Sequence, residues 1–404
     1  MATISRAYVR LVLALGKHDK DYVDAYYGPE EVKREAEAAN LSLDAIGKSA
    51  AALQGQLKAA PASGSDELSR LRHQYLEKQL AALSARVRML NGERLSFDEE
   101  SKALYDAVAP HHEDAHFQAV LDKLEPRFPG PGPLVDRYDA WRRAFVIPRE
   151  KLDTVFQAAI SACRERTLPH VKLPAEHFTV EYVTNKSWSG YNWYQGGFRS
   201  LIQVNTDLPV YIDRAVDLAC HEGYPGHHVY NALLEQHLVK QRGWLEFTVY
   251  PLFSPQSLIA EGTANYGIEV AFPGRERIAF EQSKLFPLAG IDAARAAEYY
   301  EVQALVEQLS YAGNEAARRY LDGKIDREAA ATWLQRYALM PRDRAAQRVR
   351  FFDQYRSYVI NYNYGKDLVR TYIESRGGTA GNPAKRWQEF EKLLSSPRLP
   401  SGLK

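Results

Sequence analysis

The stretch HEGYPGHH at residues 221–228 brings together histidine and glutamate, two residue types that bind metal ions. On an unbroken helix, two histidines four positions apart share one face, so both rings can reach one metal ion. This spacing is absent here, because His227 follows His221 by six positions and His228 by seven. His228 would lie ~10 Å farther along a regular helix. A metal site therefore requires the helix to be interrupted.

Pro225 and Gly226 separate the histidines and are residue types that kink or break helices. If two residues loop out, His227 takes the position that normally lies four after His221; if three loop out, His228 takes it. We predict a local break at this point, favour His227 as the second ligand and keep His228 as the alternative. In the regular motif, the glutamate after the first histidine removes a proton from a water molecule that the metal activates.

A site with two histidines needs a third donor. Glu261 lies 40 positions after His221, among the small and apolar residues of PQSLIAEGTANYGIEVAF. A buried, unpaired carboxylate is costly, so Glu261 requires a cation or a proton. One helical turn later, Asn265 could hydrogen-bond a ligating histidine. The alternative is a helix-loop-helix with surface histidines and a salt-bridged glutamate.

The literal match to H-E-x-x-H is HEDAH at residues 112–116. Metal-binding helices are usually buried, whereas this motif places the charged Asp114 between its histidines. The segment also follows Pro110, and acidic residues after a proline complement a helix N-terminus. Glu113 and His116 match half of a di-iron carboxylate pattern, but the chain has no second Glu-x-x-His. We interpret HEDAH as a solvated first helical turn.

The elements that position these motifs are mostly helices, because apolar residues recur with a period of 3.6 along most of the chain. Residues 4–15 predict an amphipathic helix, and leucines up to Leu90 predict a long helix capped by Ser65. Ser96 with Glu99 matches a capping box. Further helices are predicted over residues 135–145 and 148–166.

Residues 178–184 and 198–206 alternate and are rich in β-branched and aromatic residues, which predicts strands. Between them, residues 187–197 (SWSGYNWYQGG) are interpreted as an aromatic, glycine-rich loop. Extended peptides bind by adding a strand to an exposed sheet edge. The segment 198–206 is a candidate for that edge, with an ordinary half-buried strand as the alternative.

Composition excludes several classes of protein. With 404 residues, 45% hydrophobic and 25% charged, the chain is typical of globular proteins. A formal net charge of +1 does not support nucleic acid or an anionic membrane as partner. No apolar run approaches the ~20 residues needed to span a bilayer. The two cysteines suit a reducing compartment, so we expect a cytoplasmic protein.

HEGYPGHH together with AEGTANYG at 260–267 resembles the DUF885 family, bacterial proteins grouped with the gluzincin zinc peptidases. FPGPGPLVDRYDAWRRAFVIP at 128–148 and YVINYNYGKDLVRTYIE at 358–374 extend the resemblance over most of the chain. The family's glutamate segment often continues with Trp and Ala, where this chain has Thr263 and Ala264. This departure leaves Glu261 in place.

The resemblance implies a mainly α fold. It would be a two-lobed helical fold of the neurolysin-like or zincin-like type, with a small β-sheet at the cleft. We predict an N-terminal helical lobe over residues 1–145 and a zincin-like catalytic lobe over residues 146–404, packed as one compact unit. Oligomeric state does not follow from the sequence.

Carried over by position, the resemblance implies that His221, His227 and Glu261 bind Zn²⁺ and that Glu222 is the general base. We therefore predict a zinc-dependent metallopeptidase that acts on a peptide or a small amide. Two alternatives remain: a zinc hydrolase of a non-peptide amide or ester, and a non-catalytic binding protein that retains the fold. The mode of cleavage, whether endo, amino-terminal or carboxy-terminal, stays open.

The developing oxyanion of such a reaction needs a hydrogen-bond donor besides the metal. RSYVINYNYG at residues 356–365 offers Tyr358, Tyr362 and Tyr364. Tyr362 fits a Tyr-x-x-Gly spacing carried by the family, so it is our candidate catalytic donor. Arg356 is a candidate clamp for a substrate carboxylate. Core packing is the alternative explanation of tyrosines at helical spacing.

Overall fold

Helices dominate residues 1–60 and 66–404, the parts of the chain described in this computed structural model. The helices of the first part of the chain are α1 (Ala2–Gly16), α2 (Glu30–Ala39), α3 (Leu43–Ala59), α4 (Glu67–Leu90), α5 (Phe97–Tyr105), α6 (Asp114–Leu124), α7 (Leu134–Arg142) and α8 (Leu152–Thr167). The later helices are α9 (Asp213–Leu218), α10 (His227–Leu234), α11 (Pro255–Ala271), α12 (Arg275–Phe280), α13 (Phe286–Ala289), α14 (Ala296–Glu307), α15 (Ala312–Leu321), α16 (Arg327–Tyr337), α17 (Arg342–Tyr355), α18 (Ile360–Ser375) and α19 (Pro383–Leu394). The predicted mainly α class is confirmed.

Two small sheets accompany the helices in these described residues. Their strands are β1 (Val23–Tyr26), β2 (His177–Val183), β3 (Gly190–Gly196), β4 (Arg199–Asn205) and β5 (Val249–Pro251). β1 pairs antiparallel with β5. In the other sheet the order is β2-β4-β3, with β2 parallel and β3 antiparallel to the central β4.

The sheets correct part of the sequence interpretation. The strands predicted at 178–184 and 198–206 are confirmed by β2 and β4. The prediction of a loop over 187–197 is wrong, because β3 forms there and pairs with β4. The prediction that 198–206 is an exposed edge is also wrong, because β4 has a strand on each side. Alternation reports a half-buried strand without reporting its neighbours, and it missed the short β1–β5 pair entirely.

Local helix signals were more reliable than sheet order. The helix predicted over residues 4–15 is α1, and the capping box of Ser96 and Glu99 is present at the start of α5. The predicted cap Ser65 lies outside the described residues. The N-cap of α4 is Asp66, whose carboxylate accepts a hydrogen bond from the backbone of Ser69.

The main hydrophobic core draws on both ends of the chain, from Ile4 in α1 to Leu403. A smaller cluster surrounds Phe117 of α6 and includes Tyr138 and Tyr337. The main core therefore contains residues from both predicted lobes. The division at residues 145 and 146 stays a prediction.

Helices α11 and α18 touch through glycine. A Cβ atom on Gly262 would lie 2.5 Å from the carbonyl carbon and oxygen of Gly365, and one on Gly365 would lie 2.9 Å from the carbonyl oxygen of Leu258. Backbone atoms cannot move aside as a flexible side chain can, so the contact requires glycine at both positions. This close approach fixes the neighbouring Glu261 against the start of α18.

We expect Gly262→Ala to lower the free energy of unfolding by about 1–3 kcal/mol, because an added methyl group forces the two backbones apart. Chemical denaturation followed by circular dichroism measures the shift in midpoint. Gly55→Ala in α3 is the matched control, because a Cβ atom there meets nothing within 4 Å. The control should gain about 0.5–1 kcal/mol, since alanine is the better helix former. Unchanged stability of Gly262→Ala would contradict the helix contact.

Candidate metal centre

The segment HEGYPGHH leaves regular helical geometry where the sequence predicted a break. Ala219–Gly223 forms one turn of π-helix directly after α9, and the next helix begins only at His227. Pro225 and Gly226 occupy the irregular stretch between these two pieces. The predicted local break is therefore observed.

Gly226 makes this break tight. Its backbone N–H donates to the carbonyl oxygen of Cys220 at 2.9 Å. A Cβ atom on Gly226 would lie 1.9 Å from the carbonyl oxygen of His221 and 2.4 Å from that of Cys220. A side chain cannot be accommodated at these distances, so the position requires glycine. The chain turns back over the preceding turn and brings His227 beside His221.

Three donor atoms converge at this point. The Nε2 atoms of His221 and His227 are 3.1 Å apart. Glu261 Oε2 lies 3.2 Å from the first and 3.8 Å from the second. Bonds of about 2.0–2.2 Å to one tetrahedral zinc ion would place the donors ~3.3–3.5 Å apart. The three residues therefore fit zinc, and within residues 1–60 and 66–404 no other such group of metal-binding side chains gathers.

Asn265, one turn after Glu261 on α11, orients the first histidine. Its Oδ1 lies 3.2 Å from His221 Nδ1. An amide oxygen can only accept, so this contact places the imidazole proton on Nδ1 and leaves the lone pair of Nε2 facing the cluster. The amide nitrogen of Asn265 donates to the carbonyl oxygen of Tyr362 at 3.2 Å, which fixes the amide orientation.

Glu261 is a buried carboxylate with one oxygen left over. Tyr358 donates to its Oε1 at 2.8 Å, whereas the buried Oε2 has no hydrogen-bond partner among the described residues. Burial alone would raise the pKa of Glu261, but His221 and His227 outweigh it and lower the pKa below its ordinary value. An ionised oxygen that is buried without a donor suits a bound cation.

His228 faces the opposite direction. Its Nδ1 lies 2.8 Å from Ser200 Oγ and its Nε2 lies 3.0 Å from Glu176 Oε2. Burial would raise the pKa of Glu176, but hydrogen bonds from His228 and Tyr224 lower it to about 2. Both ring nitrogens of His228 are thus engaged, and the structure brings His227 next to His221 instead.

Glu222 lies on the turn that follows His221, with its side chain towards the cleft. Asn192 on β3 donates to its backbone carbonyl at 2.7 Å, and a Cβ atom on Gly190 would lie 2.9 Å from its Oε1. No described residue donates a hydrogen bond to its carboxylate. Burial raises the pKa of Glu222 to about 7, against the opposing charge of His227. A carboxyl group with this pKa can both accept and release a proton near neutral pH.

Tyr358 and Tyr362 share the face of the chain that meets Glu261. Because Tyr358 donates to Glu261, its hydroxyl is engaged. The hydroxyl of Tyr362 has no hydrogen-bond partner in the part of the chain that the structure describes. Burial, and then the charge of Glu261, raise the pKa of Tyr362 above its ordinary range, so the hydroxyl keeps its proton.

A cavity of about 950 Å³ opens in front of these residues. Asp24 of β1, Gly190 at the start of β3, and Arg344 and Arg348 of α17 line it together with the metal cluster. The predicted clamp Arg356 is not among the lining residues. That prediction is wrong because Arg356 forms an ion pair with the buried Glu100, 2.6 Å from Nε to Oε2.

Sequence reasoning missed Asp24. Tyr191 donates a hydrogen bond to its carboxylate, and burial raises its pKa to about 6. The charges of His227 and Glu261 also act on this pKa, so Asp24 lies close to the metal cluster. It stands in a four-residue strand far from HEGYPGHH in the chain, and no local pattern links the two.

HEDAH does not form a comparable site. α6 begins at Asp114, with Glu113 as its N-cap, so His112 precedes the helix. Residues 113–116 are exposed. The two imidazole rings lie 4.5 Å apart, but no third donor joins them in the described residues. The interpretation as a solvated first helical turn agrees with this geometry.

Comparison with solved structures shows a shared fold. A presumed lipoprotein of Colwellia psychrerythraea is 15% identical, with a TM-score of 0.54 over 92% of this chain and 71% of that one. A presumed lipoprotein of unknown function from Shewanella oneidensis is 14% identical, with a TM-score of 0.44 over 92% and 75%. An M32 carboxypeptidase of Deinococcus radiodurans R1 is 13% identical, with a TM-score of 0.40 over 99% and 92%.

No protein-family model and no curated protein matches the chain, so the resemblance to the DUF885 family stays a prediction. Among the described residues, no helix has the length and apolar character needed to cross a bilayer. The cytoplasmic location also stays a prediction.

We expect the protein to bind one zinc ion, and His227→Ala to weaken zinc binding on the order of 100-fold or more. Losing a ligand should cost more than the 10- to 100-fold typical of losing a ligand's hydrogen-bond partner. Competition with a chromophoric chelator measures the affinity. His237→Ala is the control, because its ring contacts only Gln241. Parental zinc affinity in His227→Ala would show that this residue is not a ligand.

Proposed function

We propose that this protein is a zinc-dependent hydrolase that cleaves peptide bonds. The observation that carries the proposal is the convergence of His221, His227 and Glu261 beside a carboxylate, Glu222, that has no hydrogen-bond donor of its own among the described residues. These residues lie in a cavity of about 950 Å³, which is the size of a small-molecule or short-peptide site.

The metal would be held by His221, His227 and Glu261. When bound, zinc supplies a Lewis acid that polarises a carbonyl group and lowers the pKa of a water molecule. Asn265 keeps the lone pair of His221 directed at the site, and Tyr358 holds the carboxylate of Glu261 in position. Such supporting hydrogen bonds fix the orientation of ligands and raise their affinity for metal.

Glu222 acts as the general base and then as the general acid. Its carboxylate accepts a proton from the attacking water as the new C–O bond forms. It gives that proton to the leaving amine as the C–N bond breaks. A pKa of about 7 suits both steps near neutral pH. The free hydroxyl of Tyr362 supplies a hydrogen bond to the oxygen that gains negative charge.

β3 holds the substrate backbone. It is an edge strand of its sheet, and its residues Gly190, Tyr191 and Asn192 line the cavity beside Glu222. An extended peptide can add to such an edge through main-chain hydrogen bonds. This role replaces the one expected for the segment 198–206, which lies at the centre of the sheet.

We expect Glu222→Gln to fold and to bind zinc but to lose activity by about 10²- to 10⁴-fold, the usual contribution of a general base. Peptide-library cleavage followed by mass spectrometry, with zinc quantified in the same samples, measures both properties. Glu165→Gln, at an exposed position of α8, is the control and should cleave at the parental rate.

Other outcomes separate the remaining candidates. Stoichiometric zinc without turnover of any peptide would favour a hydrolase of non-peptide amides or esters, or a binding protein. Failure to take up zinc would end the metal hypothesis.

A further inference from the structure

Several cationic side chains in the cleft are neutralised by nearby carboxylates. Arg214 and Arg277 both contact Asp217, at 2.9 Å and 2.8 Å. Lys366 contacts Glu269 at 2.9 Å. Ion pairs of this kind explain the presence of these charges without any ligand.

Arg344 and Arg348 differ from these cations. Neither has a hydrogen bond or an ion pair with any other residue in the described ranges 1–60 and 66–404. They lie four positions apart on α17, so they share one face, and both line the cavity. The Nε atom of Arg348 is buried without a partner. Two guanidinium groups therefore face the cleft with unused donors.

Aromatic rings surround Arg348 without satisfying its hydrogen-bonding groups. Its guanidinium carbon lies 4.6 Å from the ring centre of Phe351 and 5.8 Å from that of Tyr362. Ring faces attract a cation but accept few of the five N–H groups that a guanidinium carries. Such a planar donor fork in a partly dry site matches the two oxygens of a carboxylate.

The electrostatic surroundings also favour an anion. Burial lowers the pKa of Arg348. The pKa of Arg344 is lowered as well, by burial and by the neighbouring charges of Arg142 and Arg214. A bound anion would relieve this accumulation of positive charge.

The arginines lie close to the metal centre. Arg348 contacts the ring of Tyr362, whose centre is 5.8 Å from that of Tyr358, and Tyr358 donates to Glu261. Two aromatic rings thus separate Arg348 from a metal-binding carboxylate. One residue of extended peptide spans ~3.3–3.6 Å, so only a short carboxy-terminal part fits between the two places.

Building on the hydrolase function proposed above, we propose that Arg348, assisted by Arg344, binds the terminal carboxylate of a peptide substrate. The protein is then a carboxypeptidase that releases an amino acid or a short peptide from the carboxyl end. Water supplies the hydroxyl group of the new acid, and its remaining proton goes to the leaving amine. Capture of a peptide amino terminus is less favoured, because Asp24, the carboxylate near the metal cluster, already accepts a hydrogen bond from Tyr191.

A binding experiment tests this site independently of catalysis. Saturation-transfer NMR and calorimetry compare a mixture of N-acetylated amino acids with the corresponding primary amides, with and without zinc. We expect the acids to bind about 10- to 100-fold more tightly than the amides, the usual effect of a charge-assisted hydrogen bond. The preference should persist without zinc, because the arginines supply it.

Variants assign the preference to Arg348. Arg348→Gln should abolish it, and Arg348→Lys should retain part of it, which also shows that the position tolerates substitution. Arg350→Gln is the matched control, because Arg350 lies on the same helix at an exposed position and does not line the cavity. It should keep the full preference. Loss of the preference in Arg350→Gln as well would overturn the assignment.

Hydrolysis completes the test. N-acylated dipeptides with a free carboxylate should be cleaved with a kcat/KM about 10- to 100-fold above that of their amides, and Arg348→Gln should remove the difference. Peptide cleavage by the parent without discrimination between acids and amides would refute the carboxylate site but leave the hydrolase intact. Selective binding of acids without any cleavage would refute the carboxypeptidase and point to a binding protein.

Discussion

The backbone contact of Gly226 with the carbonyl oxygens of Cys220 and His221 is the constraint on which the cleft depends. It forces the chain to turn back after a single π-helical turn, and so brings His227 beside His221 across six positions of sequence. The same turn sends His228 into the protein interior, where Ser200 and Glu176 engage both of its ring nitrogens. One close contact between backbone atoms thus decides which histidine faces the cleft.

A second contact of the same kind sets the other half of the site. Gly262 and Gly365 let α11 and α18 touch, which places Glu261 beside Tyr358 and aligns Asn265 with His221. In both contacts the decisive property is the missing Cβ atom rather than flexibility. Rigid backbone positions suit a metal site, because ligands must be held to within a fraction of an ångström.

The charges of the cleft are arranged in two zones. Near the metal cluster, burial raises the pKa of Glu222 and Asp24, while the histidines keep Glu261 ionised. On α17, Arg344 and Arg348 stand without counter-ions among the described residues. A substrate with a polarisable carbonyl and a terminal carboxylate complements both zones, which is why a single substrate class accounts for features of the cleft that have no structural partner.

The sequence by itself was sufficient for the helical class, the capping box of α5, the break at Pro225 and Gly226, and the candidate ligand set of His221, His227 and Glu261. These features depend on short-range patterns, since caps, periodicity and helix breakers act within a few residues. It could only favour His227 over His228, because the number of residues that loop out depends on how tightly the backbone packs.

Tertiary structure decided the remainder. The order β2-β4-β3, the position of Asp24 and the exchange of Arg356 for Arg348 as the arginine in the cleft all depend on contacts between distant segments. Whether an arginine meets a carboxylate such as Glu100 or an open cavity is a property of the assembled fold, and no spacing along the chain encodes it. Residue types and short spacings therefore determined which chemistry was available, whereas long-range packing determined which side chains were left free to perform it.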